Sequence, residues 1–320
     1  MKKMKIPDHI DPAKGRQVSF EILPPAKGTH IRVVFDALDA LMEFKPPYIN
    51  ITYHQTETVL LPRGDGLLEA RNIRKRPGTV AISAAIRYRY GVDVVPHLIC
   101  GGFSKEETED ALIDLHYLGI HNILAIRGDG DPLSRRFQPV KNGHPHALDL
   151  VKQVMDMNKG IYLDEVLRNA TKTKFSVGVA GYPEKHFESP NKQTDLAWLK
   201  AKVDAGADYI VTQMFYDNRC FFRFVKDCRA AGITVPIIPG LKPIATRNHL
   251  TLIPQTFKVD IPDELAREVE NCTTREAIRQ LGVEWTSMQS KELFAKGVPL
   301  IHYFTMGNVD NMVQIMRQVL

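Results

Sequence analysis

The sequence predicts an α/β fold, a (β/α)8 TIM barrel, and three observations support that prediction. Eight short β-rich segments alternate with amphipathic helical patterns along the 320 residues. Glycines stand just before several of these segments, as the short turns from helix to strand in a barrel require. Eight strands with intervening helices in a chain of this length favour a closed barrel over an open doubly wound sheet. We therefore expect one barrel domain over residues 1–320.

The eight predicted strands are rich in β-branched and aromatic residues and are bounded by turn residues. They cover residues 18–23, 48–52, 93–99, 122–127, 175–180, 209–213, 235–239 and 299–304. Parallel strands need long crossover connections, so the intervals between them should carry helices on the outside of the barrel.

Several helices have clear boundary signals. Apolar residues recur at helical spacing across residues 31–44 and make one apolar face. Ser104 and Glu107 stand in the relation of a capping box, and Gly119 stops that helix, which is predicted at 104–118. Gly206 and Gly232 end two more helices, each just before a strand.

Three stretches depart from the regular alternation. They are a basic tail at residues 1–16, an insertion at 53–89 and an extra helical segment at 262–296 before the last strand. The insertion could form a lid, an oligomer contact or a basic surface.

The composition fits a protein that handles anionic small molecules. Its formal charge of +5 and pI of about 8.9 are mildly basic and fall well short of a nucleic-acid-binding profile. Basic residues bunch at positions 63–89, where the run is either a solvated helix face or a phosphate site. The four cysteines lack CxxC spacing, and no metal-ligand set, secretory signal or membrane-length apolar run is present. A cytoplasmic protein with reduced thiols, and with no nucleic-acid or membrane partner, is expected.

Glu21 is the most informative residue of the chain. It lies two residues before Leu23, where Pro24 and Pro25 stop an apolar strand because proline has no N–H for the sheet. Alternation puts Glu21 on the same face as Ser19, so it should point into a site or the barrel interior. The carboxyl end of a parallel strand is where such folds bind ligands. The alternative is a structural ion pair with an arginine.

Polar residues also follow other strands at the same predicted rim. The fourth strand runs into Arg127, Gly128 and Asp129, where glycine allows the backbone to approach a ligand closely. His97 lies in the apolar third strand and is either a core histidine or a ligand contact. Aromatic, amide and charged residues follow the second, fifth and sixth strands, at 52–54, 181–186 and 212–217. A planar ligand that needs stacking and hydrogen bonds would suit this rim.

Several common catalytic motifs are missing. The chain has no GxGxxG at a βα turn, no GxxxxGK[ST], no GxSxG and no HExxH. A Rossmann hydride-transfer domain, a P-loop, a serine hydrolase and a metal hydrolase are therefore disfavoured. One barrel rim has to provide the whole site.

The motifs at these strand ends resemble, in their order, those of the methylenetetrahydrofolate reductase family. They are Ser-Phe-Glu with Pro-Pro, Ile-Thr-Tyr, Pro-His-Leu, Arg-Gly-Asp, Tyr-Pro-Glu-x-His, Lys-x-Lys-Val-Asp-Ala-Gly-Ala-Asp, Thr-Gln-x-Phe-x-Asp and Ile-Ile-Pro-Gly. The resemblance covers residues 17–257 and resumes at 301–305. It implies a homo-oligomeric enzyme of one-carbon metabolism and methionine biosynthesis. With bound FAD, and NADH or NADPH as donor, that enzyme would reduce 5,10-methylenetetrahydrofolate to 5-methyltetrahydrofolate.

The resemblance also implies roles for individual residues. Glu21 would be the general acid that protonates a folate nitrogen, and burial would raise its pKa and keep it protonated near neutral pH. Asp129 would lie beside flavin and folate, where a negative charge favours a cationic iminium. Gln213 would contact the pterin. The positions that match flavin contacts are Thr52, His97, Arg127, Gly128, Asp129, Ala180, Tyr182, His186, Asp195 and Lys202.

Two segments depart from the family pattern. The last strand runs into residues 304–308, where many relatives carry an arginine that helps to hold the folate and this chain has none. His249 and Ile253 stand where some bacterial relatives have a glutamine and an aromatic residue that meets the nicotinamide. The electron donor could therefore be a ferredoxin or a partner flavoprotein. A folate- or flavin-binding subunit with little activity is a further alternative. The presence of Glu21, Asp129 and Gln213 argues against it, since a binding module has no need of a buried acid.

Overall fold

A computed structural model describes residues 4–130, 137–307 and 309–320 of the chain. Its strands are β1 (Gln17–Ile22), β2 (Tyr48–Ile51), β3 (Glu57–Pro62), β4 (Leu68–Ile73), β5 (Asp93–Ile99), β6 (Asn122–Ile126), β7 (Ser176–Gly181), β8 (Tyr209–Met214), β9 (Ile237–Leu241) and β10 (Leu300–Phe304). Eight of them close into a parallel barrel in the order β1-β10-β9-β8-β7-β6-β5-β2, while β3 and β4 form a separate antiparallel hairpin. The predicted TIM barrel and its eight strands are confirmed.

Helices cover the outside of the barrel. They are α1 (Ile6–His9), α2 (Arg32–Leu41), α3 (Thr79–Tyr90), α4 (Lys105–Tyr117), α5 (Ala147–Lys159), α6 (Lys192–Asp204), α7 (Asn218–Ala230), α8 (His249–Phe257), α9 (Asp263–Asn271), α10 (Arg275–Ala295) and α11 (Val309–Val319). The predicted capping box is present, because Glu107 N–H donates to Ser104 Oγ and Ser104 N–H donates to Glu107 Oε2. The extra helical segment before the last strand is α9 and α10. No helix within the described ranges combines the length and apolar character that a membrane span needs.

The N-terminal segment closes the amino end of the barrel. The sequence predicted a basic tail here, but from residue 4 onward the chain is docked on the barrel. Ile6 is fully buried in an apolar cluster with Tyr48 and Tyr209, and its N–H donates to Asn122 Oδ1. The barrel floor would otherwise expose these large side chains to water, so an apolar plug stabilises it.

The predicted insertion at 53–89 is shorter than expected. Its second half is α3, a regular barrel helix that buries Ile82 and Ile86 against the strands. Arg87, Tyr88 and Arg89 lie in its last turn and weaken the apolar periodicity that would have identified the helix from sequence. The part of the insertion that a regular barrel lacks is therefore the hairpin of β3 and β4.

The hairpin is anchored beside the barrel mouth. Arg74 donates to the Tyr53 hydroxyl at 2.7 Å, Arg76 donates to the Pro24 carbonyl, and the segment before β3 reaches Asp129 through Gln55. Most other basic residues of this run pair locally with acids: Arg63 with Asp65, Arg71 with Glu69, Lys75 with Glu57, Arg87 with Asp93 and Arg89 with Asp39. The run thus holds the hairpin and α3 in place, and its charges are largely neutralised.

We expect Gly282→Ala to destabilise the fold. An alanine Cβ at this position in α10 would lie 1.8 Å from the Ile244 carbonyl oxygen in the loop after β9. Alanine usually stabilises a helix relative to glycine, but this clash with backbone should lower the free energy of unfolding by about 1–3 kcal/mol. Urea denaturation measures the change, with Arg279→Ala on the exposed face of the same helix as control. Equal stability of Gly282→Ala and wild type would contradict the close approach.

Candidate functional site

Glu21 lies at the carboxyl end of the barrel between two histidines from other strands. Its Oε2 is 3.6 Å from His97 Nε2 and 3.7 Å from His302 Nε2. The Glu21 side chain is 13% exposed, and the side chains of His97 and His302 are 5% and 1% exposed. Glu21 therefore points inward, as alternation predicted. Its two contacts are with imidazole rings, whereas the alternative interpretation, a structural ion pair, required an arginine.

His302 is a site residue that the sequence interpretation missed. It lies opposite Ser19 in the β1–β10 register, and its Nδ1 is 2.9 Å from Ser19 Oγ and 3.5 Å from Asn50 Nδ2. An amide nitrogen can only donate, so with this amide orientation Nδ1 is an acceptor and Nε2 carries the proton that faces Glu21. Alternation along β10 could have identified it as inward-facing, since His302 lies two residues from Leu300, which faces the barrel interior.

The pKa of Glu21 moves in the direction opposite to the sequence prediction. Burial of the carboxyl does raise its pKa, as predicted, but the hydrogen bond to His302 and the charges of His97, His302 and His54 outweigh burial. The net pKa lies below its usual value, so the expectation of a protonated Glu21 near neutral pH is wrong. The physical reason is the set of histidines around the carboxylate. Burial lowers the pKa of His97 to about 4, so that imidazole is neutral at pH 7.

Asp129 follows β6 at the outer rim of the site. Its side chain is exposed, yet loss of hydration among the surrounding groups raises its pKa, while His54 and Arg127 oppose the change. Gly128 has φ +90°, a conformation that favours glycine, and directs the chain from β6 toward Asp129.

His54 connects the two acids of the rim. Its Nε2 is 3.3 Å from Thr52 Oγ1, and it interacts electrostatically with both Glu21 and Asp129. Burial and the charge of Arg76 lower its pKa. The sequence interpretation recorded His54 at the end of the second strand and gave it no role.

The ends of β6 and β7 bring Arg127, Tyr182 and His186 together. Arg127 forms a two-pronged ion pair with Glu188, with Nη2 3.0 Å from Oε1, and its guanidinium stacks 4.7 Å from the Phe137 ring. The backbone N–H of Glu188 donates to His186 Nδ1, and the His186 ring packs edge-on against Tyr182 with centroids 4.7 Å apart. Three of the residues predicted to bind flavin are thus neighbours.

The same cluster continues through α6. Asp195 Oδ2 accepts from the His186 backbone N–H at 3.1 Å, and Lys202 Nζ donates to the Ala180 carbonyl at 2.8 Å. Burial lowers the pKa of Lys202 to about 8, and Asp195 opposes that shift. A cavity of about 370 Å³ borders the cluster, with Tyr182 and Asp195 in its lining and neither Glu21 nor Asp129.

This cluster can hold an anionic cofactor. Arg127, His186 and Lys202 interact electrostatically, and burial together with the charges of the other two groups lowers the pKa of His186, while Glu188 and Asp195 oppose that shift. An anion such as a pyrophosphate would relieve that mutual repulsion. Within the described ranges, no group of three or more His, Cys, Asp or Glu side chains is arranged to hold a metal ion.

The remaining predicted contacts lie at the ends of β8 and β9. Gln213 is half-buried, and its Oε1 accepts from the Met214 N–H at 2.9 Å. His249 Nδ1 accepts from the Ala245 N–H, whereas Ile253 is 1% exposed in an apolar cluster under α8. Ile253 therefore does not face the mouth. Asn308, near which the folate-contacting arginine is absent, lies outside the described residues.

Comparison with protein-family models gives a match over nearly the whole chain. The methylenetetrahydrofolate reductase model matches residues 5–320.

Curated relatives carry the same name. Methylenetetrahydrofolate reductase (NADH) 1 of Arabidopsis thaliana is 33% identical over 302 residues, which cover 91% of this chain and 46% of the plant protein. The 5,10-methylenetetrahydrofolate reductase of Salmonella typhimurium is 30% identical over 299 residues, which cover 92% of this chain and 87% of that protein. The chain thus spans about half the length of the plant relatives and most of the bacterial one.

Solved structures support the fold. A Clostridium thermocellum protein that binds two copies of 5-methyl-5,6,7,8-tetrahydrofolic acid superposes with a TM-score of 0.56 at 12% identity, over 95% of this chain and 94% of its own. Oxaloacetate acetylhydrolase superposes with a TM-score of 0.51 at 10% identity, over 98% and 84%. At these identities the likeness concerns the barrel alone.

We expect Glu21→Gln to remove a stability term that depends on acid pH. A carboxyl with a lowered pKa stabilises the fold above the pKa of the unfolded state, about 4.3, and this contribution is lost as pH falls through the folded-state pKa. The difference in unfolding free energy between wild type and Glu21→Gln should therefore be constant above about pH 5 and change below it. Urea denaturation from pH 3 to 8 measures it. A difference that changes between pH 5 and 8 would instead indicate a raised pKa.

Proposed function

This chain belongs to the methylenetetrahydrofolate reductase family, and we propose that it reduces 5,10-methylenetetrahydrofolate to 5-methyltetrahydrofolate, with FAD as bound cofactor and NADH or NADPH as electron donor. The observation that carries the proposal is the Glu21 carboxylate, held in the barrel mouth against His302 Nε2. A binding module has no need of an acid that is buried and paired in this way. The names of the curated relatives support the same reaction.

The cluster of β6, β7 and α6 is the proposed FAD site. Arg127, His186 and Lys202 would bind the pyrophosphate, while Asp195 holds the loop of His186 in place. Thr52, His97 and the backbone at Gly128 and Ala180 would line the rest of the cofactor. FAD, once bound, supplies the hydride for the folate methylene carbon.

Glu21 would deliver the proton that opens the folate ring, with His302 Nε2 beside its carboxyl group. Because its pKa is lowered, Glu21 is mainly a carboxylate at neutral pH before the substrate binds. The carboxylate would take up one proton from solvent and pass it to the folate nitrogen, which returns Glu21 to its starting state while His302 keeps its own proton. Ser19 Oγ at Nδ1 keeps the imidazole oriented toward the Glu21 carboxylate.

Asp129 and Gln213 would act on the folate at the rim. Ring opening gives a cationic iminium, and the negative charge of Asp129 stabilises a cation that forms nearby. The Gln213 amide can both donate and accept, as recognition of the pterin edge requires. Ile253 is buried, so the electron donor would have to meet other residues of the rim.

An anaerobic titration of the purified protein tests the proposed function. Visible absorbance of bound flavin should bleach with NADH or NADPH and recover with methylenetetrahydrofolate. A flavin that folate reoxidises and neither dinucleotide reduces would indicate a separate redox partner. A protein that cannot be reconstituted with FAD would overturn the proposal.

We expect Glu21→Gln to separate the two half-reactions. Reduction of the flavin by the donor should keep its rate, while folate reduction should fall roughly 10²- to 10⁴-fold, because only the second step needs the proton. Stopped-flow absorbance of each half-reaction measures this. Equal losses in both half-reactions would show that Glu21 is not the acid. Equal flavin content in wild type and Glu21→Gln would show that the variant is folded.

We expect Asp129→Asn to slow folate turnover by roughly 10²-fold and to make the flavin potential more positive. Removing a negative charge beside the cofactor favours its reduced form and withdraws stabilisation from the cationic folate. Potentiometric titration and steady-state kinetics measure the two effects. An unchanged potential would exclude an electrostatic action of Asp129 on the flavin.

A further inference from the structure

Lys242 is a buried lysine at the carboxyl end of the barrel. It directly follows β9 and is 6% exposed. Alternation from Ile238, which lies in the apolar cluster inside the barrel, puts Gly240 and Lys242 on the inward side. The lysine therefore stands at the inner rim of the mouth.

Within the described ranges the Lys242 ammonium has no carboxylate partner. It has three N–H donors, and Nζ donates to the Pro243 carbonyl at 3.4 Å. Across residues 4–130, 137–307 and 309–320, no carboxylate lies within 4 Å of it. Burial lowers its pKa to about 8, so the side chain is mainly charged at pH 7. A buried cation without a partner is costly to the fold and is stabilised by an anionic ligand.

The position of Lys242 is fixed by its surroundings. The loop 242–245 is buried throughout, and the Ile244 carbonyl lies against Gly282 of α10. On one side β9 pairs with β8, which carries Gln213, and on the other Leu241 pairs with Tyr303 of β10. A ligand that rests on Gln213 and extends toward the mouth would pass Lys242.

We propose that Lys242 binds a carboxylate of the glutamyl tail of the folate and so determines specificity for the charged substrate. This inference rests on the proposed function. The pterin ring and the methylene bridge are neutral, so the glutamyl carboxylates are the groups of the folate that can neutralise a buried ammonium. With the pterin at Gln213, the tail points outward past the end of β9.

The test compares a charged folate with an uncharged one of the same length. Dissociation constants of 5-methyltetrahydrofolate and of its dimethyl ester are measured by calorimetry for wild type, Lys242→Met, Lys242→Arg and the control Lys226→Met on the exposed face of α7. Wild type and the control should bind the acid roughly 10- to 100-fold more tightly than the ester. Lys242→Met should bind both forms as weakly as wild type binds the ester, and Lys242→Arg should keep part of the preference.

Stability and flavin reduction separate this role from a structural one. Lys242→Met removes an uncompensated buried charge, so its melting temperature should equal or exceed that of wild type, with flavin content and flavin reduction unchanged. A Lys242→Met protein that keeps the wild-type preference for the acid over the ester overturns the inference. A raised KM for the dinucleotide with the acid preference intact also overturns it and assigns the lysine to the donor. A wild-type protein that reduces its flavin but binds neither folate form defeats the proposed function itself.

Discussion

Closure of the barrel between its first and last strands is the constraint on which the site depends. β1 lies between β2 and β10, and this pairing puts Ser19 opposite His302 although 283 residues separate them. The Ser19–His302 contact orients the imidazole that lowers the pKa of Glu21. The apolar plug around Ile6 closes the other end of the barrel and keeps the inner face of the strands dry.

Two regions of the barrel mouth differ in their electrostatics. Around Glu21, histidines lower the pKa of the carboxyl group. Around Arg127, His186 and Lys202, basic groups crowd together on the ends of β6, β7 and α6, with Asp195 among them. Crowding of like charges is tolerated when a ligand of opposite charge completes the arrangement. The two regions meet at Asp129, which His54 couples to Glu21. The proposed cofactor site and the proposed proton donor therefore lie on one rim.

The distribution of the remaining basic residues follows from burial. Those of the hairpin and α3 lie at the surface and pair with nearby acids, where each pair contributes little to stability and mainly fixes geometry. Lys242 is buried and has no such partner among the residues that the structure describes. Burial of a charged side chain costs free energy, which an ion-pair partner or a ligand has to offset. A buried cation without an ion pair therefore indicates an anionic ligand more strongly than a dense run of exposed cations does.

The sequence by itself determined the elements of the barrel and the strand ends that carry polar residues. Alternation in β1 predicted the inward direction of Glu21, and Ser104 with Glu107 predicted the start of α4, because both signals act between residues close in the chain. Only the tertiary structure decided which groups meet. It brought His302 to Glu21 and reversed the direction of the expected pKa shift of the carboxyl group, docked Ile6 as a plug, and buried Lys242 with no acidic partner among the described residues. These properties depend on contacts between distant segments and on the loss of water around them, which no local pattern encodes.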